Sequence, residues 1–475
     1  MSAIITQNFR LDTTERFVDS LSIVDSNNDL VNAFYMGLGR PNPWDLDTQT
    51  LTEVPHLPGE NDSTTNQVWQ ELFAMKKIAP SDLIFAAPRN KWIDGDTYVA
   101  YDDKHANIEQ WPFMVISNTF NVYLCLKADG PSTRDPDVYV GIQTVGVTQT
   151  DDGYTWKYMY TVPTSIANKF LTTEFVPVQM LNADPGTGAA QALKDQWSVQ
   201  ASAVPGAIYN IAIDAAGDNY TQGTTTVIID GNGTGATADA VITNNKLTGV
   251  HMTSYGSGYD YVSVTIVDAG NNPGTEASAR AVLSPKGGYG SDPRYDLRAH
   301  YVAVNTVFDG SELDSIPTSN DFRQLSIIKN PKTNVSGGIV NASAVAINTA
   351  KALELNGSGF IKDNIITALG SGNSGATGFV VEFKENVLKD DGVTYTDVLY
   401  YIQNESTGFT PFADTDTVTV YQEPGDTSPP VQANVDQVND ALIKFNSGEI
   451  MFVENRDAVT RSESQMETIR LVIEF

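Results

Sequence analysis

Apolar positions recur at helical spacing twice near the start of the chain. Phe17, Val18 and Leu21 share one face behind Thr13, which predicts a short helix capped by that threonine. Val68, Leu72, Phe73 and Met75 repeat the pattern behind Ser63 or Thr64, with Pro80 expected to end this second helix. Beyond it the period changes. Phe113-Met114-Val115-Ile116 and Val122-Tyr123-Leu124-Cys125-Leu126 are unbroken apolar runs, expected as buried strands. Trp156 to Val162 alternates more loosely and stops at Pro163, in a stretch whose many Trp and Tyr suit sheet cores with polar edges. At the far end Ile469, Leu471, Ile473 and Phe475 alternate with Arg470 and Glu474, predicting a half-buried strand inside a sheet rather than a tail.

Between about Pro205 and Pro285 acids and bases thin out, and Gly, Thr, Ala and Val dominate in an internal duplication. Ile208 to Ile211, Gly217-Asp218-Asn219-Tyr220, Val227 to Asp230 and Ala236 to Val241 align with Leu247 to Val250, Gly256-Ser257-Gly258-Tyr259, Thr265 to Asp268 and Ala277 to Val282. The offsets are 39 (217 to 256), 38 (227 to 265) and 41 (236 to 277). Each unit reads as a hairpin: a glycine turn with positive φ, an aromatic packed over it, then paired β-branched strands. The phrase returns as Gly357-Ser358-Gly359-Phe360 and Ser374-Gly375-Ala376-Thr377-Gly378, with Thr407-Gly408-Phe409 as a weaker copy. A second inserted module is therefore expected, near its exit bordered by the Pro-rich Pro424 to Pro430.

Composition narrows the function classes. A chain of 475 residues exceeds one ordinary core, and two to four domains are expected. The 58 acids against 29 bases give a formal charge of −29, a field that repels phosphate backbones and anionic lipid surfaces. No nucleic-acid or membrane partner is expected. The acidity keeps the protein soluble before assembly or matches a basic protein partner, and both readings stand at this point. Cys125, the lone cysteine, reads as a buried strand residue, which fits folding in a reducing cytoplasm. Met1 to Gln7 shows no signal-peptide pattern, and no apolar run approaches membrane-spanning length.

The chemistry-bearing residues form no constellation. Gly287-Gly288-Tyr289-Gly290 lacks the Lys-Ser/Thr of a phosphate loop and its strand–helix context. His56, His105, His251 and His300 are not at metal-ligand spacing. Asp151-Asp152-Gly153 and Asp390-Asp391-Gly392 read as acidic turns without the closing Glu of a calcium loop. No catalytic residue, metal site or cofactor is expected, although carboxylate pairs among so many acids leave a glycan hydrolase open.

With the inserts set aside, five blocks remain, in this order. They are Gly39-Arg40-Pro41-Asn42-Pro43-Trp44 with Pro88-Arg89-Asn90-Lys91-Trp92; Asp152 to Tyr158 with Pro163; Phe322-Arg323-Gln324-Leu325 to Pro331; Ser447 to Asn455-Arg456; and Glu467 to Phe475. Together they resemble the homodimeric baseplate wedge subunit of T-even-like contractile-tailed phages. The resemblance covers well under half of the residues and departs from the family at the two Gly-rich inserts. It implies a β-rich α+β fold: a layered β-sandwich core, peripheral short helices and two inserted small Gly-rich β modules. The implied division is core 1–204, inserted module 205–285, core 286–335, second module 336–442 and core 443–475. The implied role is structural and non-enzymatic, in the virion tail baseplate, with other wedge proteins and a second copy of the chain as partners. Arg40, Trp44, Trp92, Trp156, Arg323, Asn455 and Arg456 are its candidate interface or structural signature. For Arg323 and Arg456 a pair across an assembly interface competes with a local salt bridge or carbonyl contact. The alternative role is a glycan-binding adhesin or fibre-associated protein that uses the inserted modules.

Overall fold

The computed structural model describes residues 5–24, 31–45, 53–59, 61–105, 107–270, 274–310, 315–335, 338–369, 372–389, 391–420 and 431–475. Pro424 to Pro430 and Asp390, singled out above, lie outside the described residues. The fold is a β-rich α+β arrangement of several packed sheets with short helices, as expected. Two compact units divide the chain: residues 1–16, 84–304 and 471–475 form one, residues 17–83 and 305–470 the other.

In the second unit a five-stranded sheet runs in the order Ala346–Asn348, Leu72–Ile78, Phe34–Gly39, Asp321–Lys329, Glu449–Thr460. Tyr35, Leu72, Met75 and Ile328 share a buried cluster with Trp69 of the preceding helix. Here the periodicity misled. The helix covers only Asp62–Glu71, is capped by Asn61 rather than Ser63 or Thr64, and gives way at once to the strand. Leu72 to Met75 is buried without interruption, a pattern that suits a central strand covered on both faces as well as a helix. The first helix also starts earlier than expected, at Gln7, so Thr13 lies inside it and its hydroxyl donates to the Phe9 carbonyl (2.8 Å). Thr6 Oγ1 accepts from the Phe9 N–H at the helix start.

The first unit builds a four-stranded sheet in the order Met114–Ile116, Asn121–Lys127, Thr155–Thr161, Thr148–Gln149, matching the three buried runs read from the sequence. One of its buried clusters is aromatic: Tyr98, Tyr123, Tyr154, Trp156 and Tyr158, with Cys125 among them. Burial pushes the Cys125 thiol well up, so it stays protonated and inert. The C-terminal strand spans Met466–Glu474, with Ile469 and Leu471 buried, each contributing roughly 1.5–3 kcal/mol. The Phe475 N–H donates to the His300 carbonyl.

Residues 210–282 of the first unit form a six-stranded sheet whose order exposes the duplication. The second strands of the two copies, Thr225–Gly231 and Val262–Asp268, pair with each other at its centre. Outside them lie the third strands, Thr234–Thr243 and Ser278–Val282, and then the first strands, exchanged between copies. Asn210–Ala215 of copy one pairs with the third strand of copy two, and Lys246–Ser257 of copy two with the third strand of copy one. The strand order is thus the same read from either edge. The units are not the separate hairpins expected from the sequence.

The central register also corrects the alignment. Val227 sits opposite Ile266, and both face the core; Thr265 sits opposite Ile228, and both face outward. The 38-residue step equated Val227 with Thr265 and so placed equivalent residues on opposite faces, whereas a step of 39 restores the match. Hydrogen bonds obey the same symmetry. Tyr220 OH accepts from the Ala277 N–H (2.8 Å), and Tyr259 OH from the Ala236 N–H (3.4 Å). Gly217 and Gly256 both have φ of 61°, and a Cβ there would lie 2.6 Å from the Ala277 nitrogen and 2.5 Å from the Ala236 nitrogen.

In the second unit Lys351–Asn356, Ile365–Ala368, Thr377–Leu388, Tyr395–Ile402, Thr417–Val420 and Gln432–Asn439 close a six-stranded barrel. Divided into halves of three strands, it repeats the pairings of the open sheet: second strand with second strand, and each third strand with the other half's first. One pairing is added. The two first strands form a ladder from Lys351↔Tyr401 to Leu355↔Asp397, which closes the barrel. In the sheet the matching edges are bridged by the Ile208 N–H bond to the Tyr255 carbonyl (2.9 Å). The echoed glycine phrases occupy equivalent turns, but Phe412 rather than Phe409 takes the buried place in the weaker copy.

Candidate functional site

Five of the seven signature residues meet in the second unit. Arg40 follows the strand Phe34–Gly39 with φ of 52°, a left-handed backbone held by what surrounds it. Its guanidinium lies 3.7 Å from the Trp44 ring centre and donates to both oxygens of Glu71 at 3.1 Å. Trp44 in turn donates from Nε1 to the Arg456 carbonyl (2.9 Å). Arg323 grips the loop from the other side. It forms two bonds to the Glu53 carboxylate, at 2.7 and 3.1 Å, and a third to the Pro41 carbonyl (2.5 Å). Asn455 accepts from Gln324 Nε2 and donates to the His56 carbonyl, both at 2.8 Å. The Gly-Arg-Pro-x-Pro-Trp turn is thereby tied to the two strands Asp321–Lys329 and Glu449–Thr460.

Electrostatics follow from burial. Arg323 is buried, and its bond holds the Glu53 carboxyl below the ordinary range. Glu71 is buried more deeply, which pushes its carboxyl up while the Arg40 charge opposes the shift. Glu71 also accepts from Gln67 Nε2 and Asn404 Nδ2. The guanidinium of Arg323 is thus used within the chain. That of Arg456, partly exposed, pairs with Glu454 of its own strand at 2.6 Å. Both arginines make local contacts within the chain.

Trp92 and Trp156 belong to the first unit. Trp92 donates to Ser132 Oγ (3.2 Å), and Trp156 stacks on Tyr154 with ring centres 5.3 Å apart and planes at 8°. Turn carboxylates act as organisers in each unit: Asp152 of the first accepts from the Thr133 and Arg134 N–H groups, and Asp391 of the second from those of Val393 and Thr394. Among the described residues no group of three or more His, Cys, Asp or Glu is placed to hold a metal ion.

Several residues that matter here escaped the sequence reading. Glu71 and Asn404 are 333 positions apart. Glu382, buried on a barrel strand, accepts from the Thr318 N–H (2.8 Å) and the Ser319 N–H (2.9 Å). Among 58 acids nothing local distinguishes these two from a solvated carboxylate.

The geometry is that of a brace. Residues 3–133 match the family model described as Bacteriophage T4, Gp8. A relative is the baseplate wedge protein gp8 of Enterobacteria phage T4, 23% identical over 219 residues that cover 38% of this chain and 63% of the relative. The chain thus spans somewhat less than two thirds of that relative's length. Both matches bear out the T-even-like resemblance drawn from the sequence blocks. The Gp8 match takes in Arg40, Trp44 and Trp92; Trp156, Arg323, Asn455 and Arg456 lie beyond it. No helix among the described residues is long and apolar enough to cross a membrane.

Proposed function

We propose that this chain is a structural subunit of a baseplate wedge in the virion tail of a contractile-tailed phage, with no enzymatic role. The observation that carries the reading is the Gp8 match over residues 3–133, which contains the Arg40–Trp44 turn at the centre of the buried brace. A protein that transmits load needs its loops locked to its sheets, and the bonds of Arg40, Trp44, Arg323 and Asn455 do this for the signature turn. The partners are other wedge proteins and a second copy of this chain, in a homodimer with a self-matching interface. The division into core segments 1–204, 286–335 and 443–475, with modules at 205–285 and 336–442, belongs to the same proposal. The test is to place the chain in an electron-microscopy map of the intact tail and to weigh the isolated protein by light scattering at micromolar concentration. Density in the baseplate and a dimer mass are expected. Density elsewhere in the tail would overturn the wedge role, and a clean monomer mass would overturn the dimer.

A further inference from the structure

One cavity of the second unit, of about 430 Å³, belongs neither to the signature cluster nor to the wedge reading. Its lining combines aromatic rings with neutral hydrogen-bonding groups. Trp69 and Tyr401 are buried beneath it, and Phe409 and Phe445 also line it. Phe409 is 54% exposed, and its exposure is imposed by the turn that carries it. Asn404 Oδ1 accepts from Ser406 N and Oγ, the Gly408 N–H donates to the Asn404 carbonyl, and Gly408 has φ of 72°. Gln403 completes the lock by donating to the Thr377 and Thr410 carbonyls (2.9 and 2.7 Å). A large apolar ring fixed in solvent at the mouth of a cavity gains nothing for the fold.

The polar lining points the same way. Lys351 Nζ donates to Gln403 Oε1 (2.9 Å), which leaves further ammonium protons for another acceptor. Burial lowers the Lys351 pKa. Thr349, 1% exposed, lines the same cavity, and its hydroxyl finds no hydrogen-bond partner among the described residues. Such a group costs stability unless something satisfies it. Asn66, Gln70 and Asn446 add amides. No carboxylate lines the cavity, Lys351 is its one charged residue, and the net charge of −29 opposes anionic ligands.

We infer that this cavity is a binding site for a neutral saccharide unit, a hexose or N-acetylhexosamine ring. A pyranose has an apolar C–H face, which a Phe409 ring covers, and a rim of hydroxyls that both donate and accept, which match Lys351 and the amides. The size suits one or two rings. The inference is independent of the wedge reading.

Saturation-transfer NMR and calorimetry of the full chain with maltotriose and chitotriose, followed by an array of bacterial surface glycans, test it. Binding in about the millimolar range is expected for at least one glycan. Phe409→Ala should weaken it about tenfold or more while leaving the melting temperature unchanged, because the ring is exposed. Lys351→Met should weaken it as well. Absence of binding by every glycan, or binding that Phe409→Ala leaves untouched, would overturn the proposal. So would Phe409-dependent capture of a peptide from a random library without any glycan binding, which would make the cavity a protein-docking site.

Discussion

The sheet of residues 210–282 and the barrel of residues 351–439 share one order of strand pairing but differ in how each is tied to its own unit. The sheet is tethered near the surface. Arg280 pairs with Asp102 and reaches Asp103 at 3.5 Å, and Lys127 Nζ donates to the Val250 carbonyl. Partly exposed pairs of this kind contribute about 0–1 kcal/mol each. The barrel's ties are buried: Glu382 accepts the backbone of Thr318 and Ser319, and Asn404 donates to Glu71, which also holds Arg40. Removing one partner of such a buried network costs about 3–5 kcal/mol, because the other charges stay behind without compensation. The same topology is therefore expected to behave as a removable module in one unit and as a structural member in the other.

The largest expected effect breaks the comparison directly. Ala352 and Asn439 are register partners, so residues 353–438 can be replaced by a short Gly-Ser linker without stretching the chain. That variant should lose cooperative folding, since Glu71 loses Asn404 while the Thr318 and Ser319 N–H groups lose Glu382. A soluble product with a sharp melting transition would show that the buried ties are dispensable. Next comes Glu71→Ala, with an expected loss of about 3–5 kcal/mol in denaturant unfolding; a loss below about 1 kcal/mol would place its ties in the class of the surface pairs.

A third test separates the units by pH. In the unit that holds the sheet, Asp296 is buried, and burial raises its pKa to about 8, while burial lowers the Lys157 pKa. An acid raised in the folded state contributes stability that is present below the ordinary carboxylate range and lost as pH rises through about 8. Thermal melts from pH 5 to 9 should show this unit weakening, and Asp296→Asn should flatten the dependence. An unchanged profile in the variant would assign the pH response elsewhere. Fourth, Tyr220→Phe should cost about 1 kcal/mol and Tyr259→Phe less, following their 2.8 and 3.4 Å bonds. The reverse ranking would mean that the copies are not held alike. The smallest change is expected from excising residues 211–281 between the register partners Asn210 and Val282. Keeping Ala207, Tyr209 and Val282 leaves the main buried cluster of that unit in place, so the melting temperature should stay near the parent's. Aggregation would show that the sheet is part of the core.

How far this was legible in the sequence depended on how local the information was. The buried runs around Val115, Leu124 and Tyr158 became strands because unbroken apolar stretches leave few alternatives in a chain rich in aromatic residues. Leu72 to Met75 failed because an apolar run with both faces covered has no period to read. The duplication was visible, but the exchange of first strands was not: which copy a strand pairs with depends on closure in space rather than on sequence spacing. Of the signature residues, the five in the brace were found as motifs, while their acidic partners Glu53 and Glu71 carried no local mark. The cavity beside Phe409 was foreshadowed only by a glycine phrase, whose aromatic turned out to face solvent.

The exchanged strands also govern the order of events at the ribosome. When residues 210–243 have emerged, the first copy holds its own three strands, yet its opening strand awaits Ser278–Val282 and its third awaits Lys246–Ser257. Thr225–Gly231, Thr234–Thr243 and Lys246–Ser257 are neighbours both in sequence and in the sheet, so one half can zip as soon as residue 257 is made. The opening strand, with Ile211 on it, has its partner Ser278–Val282 only about seventy residues later, and the other half closes last. The charge-poor surface of this stretch, rich in Thr and Gly rather than Leu and Phe, limits what the waiting half can stick to in the meantime.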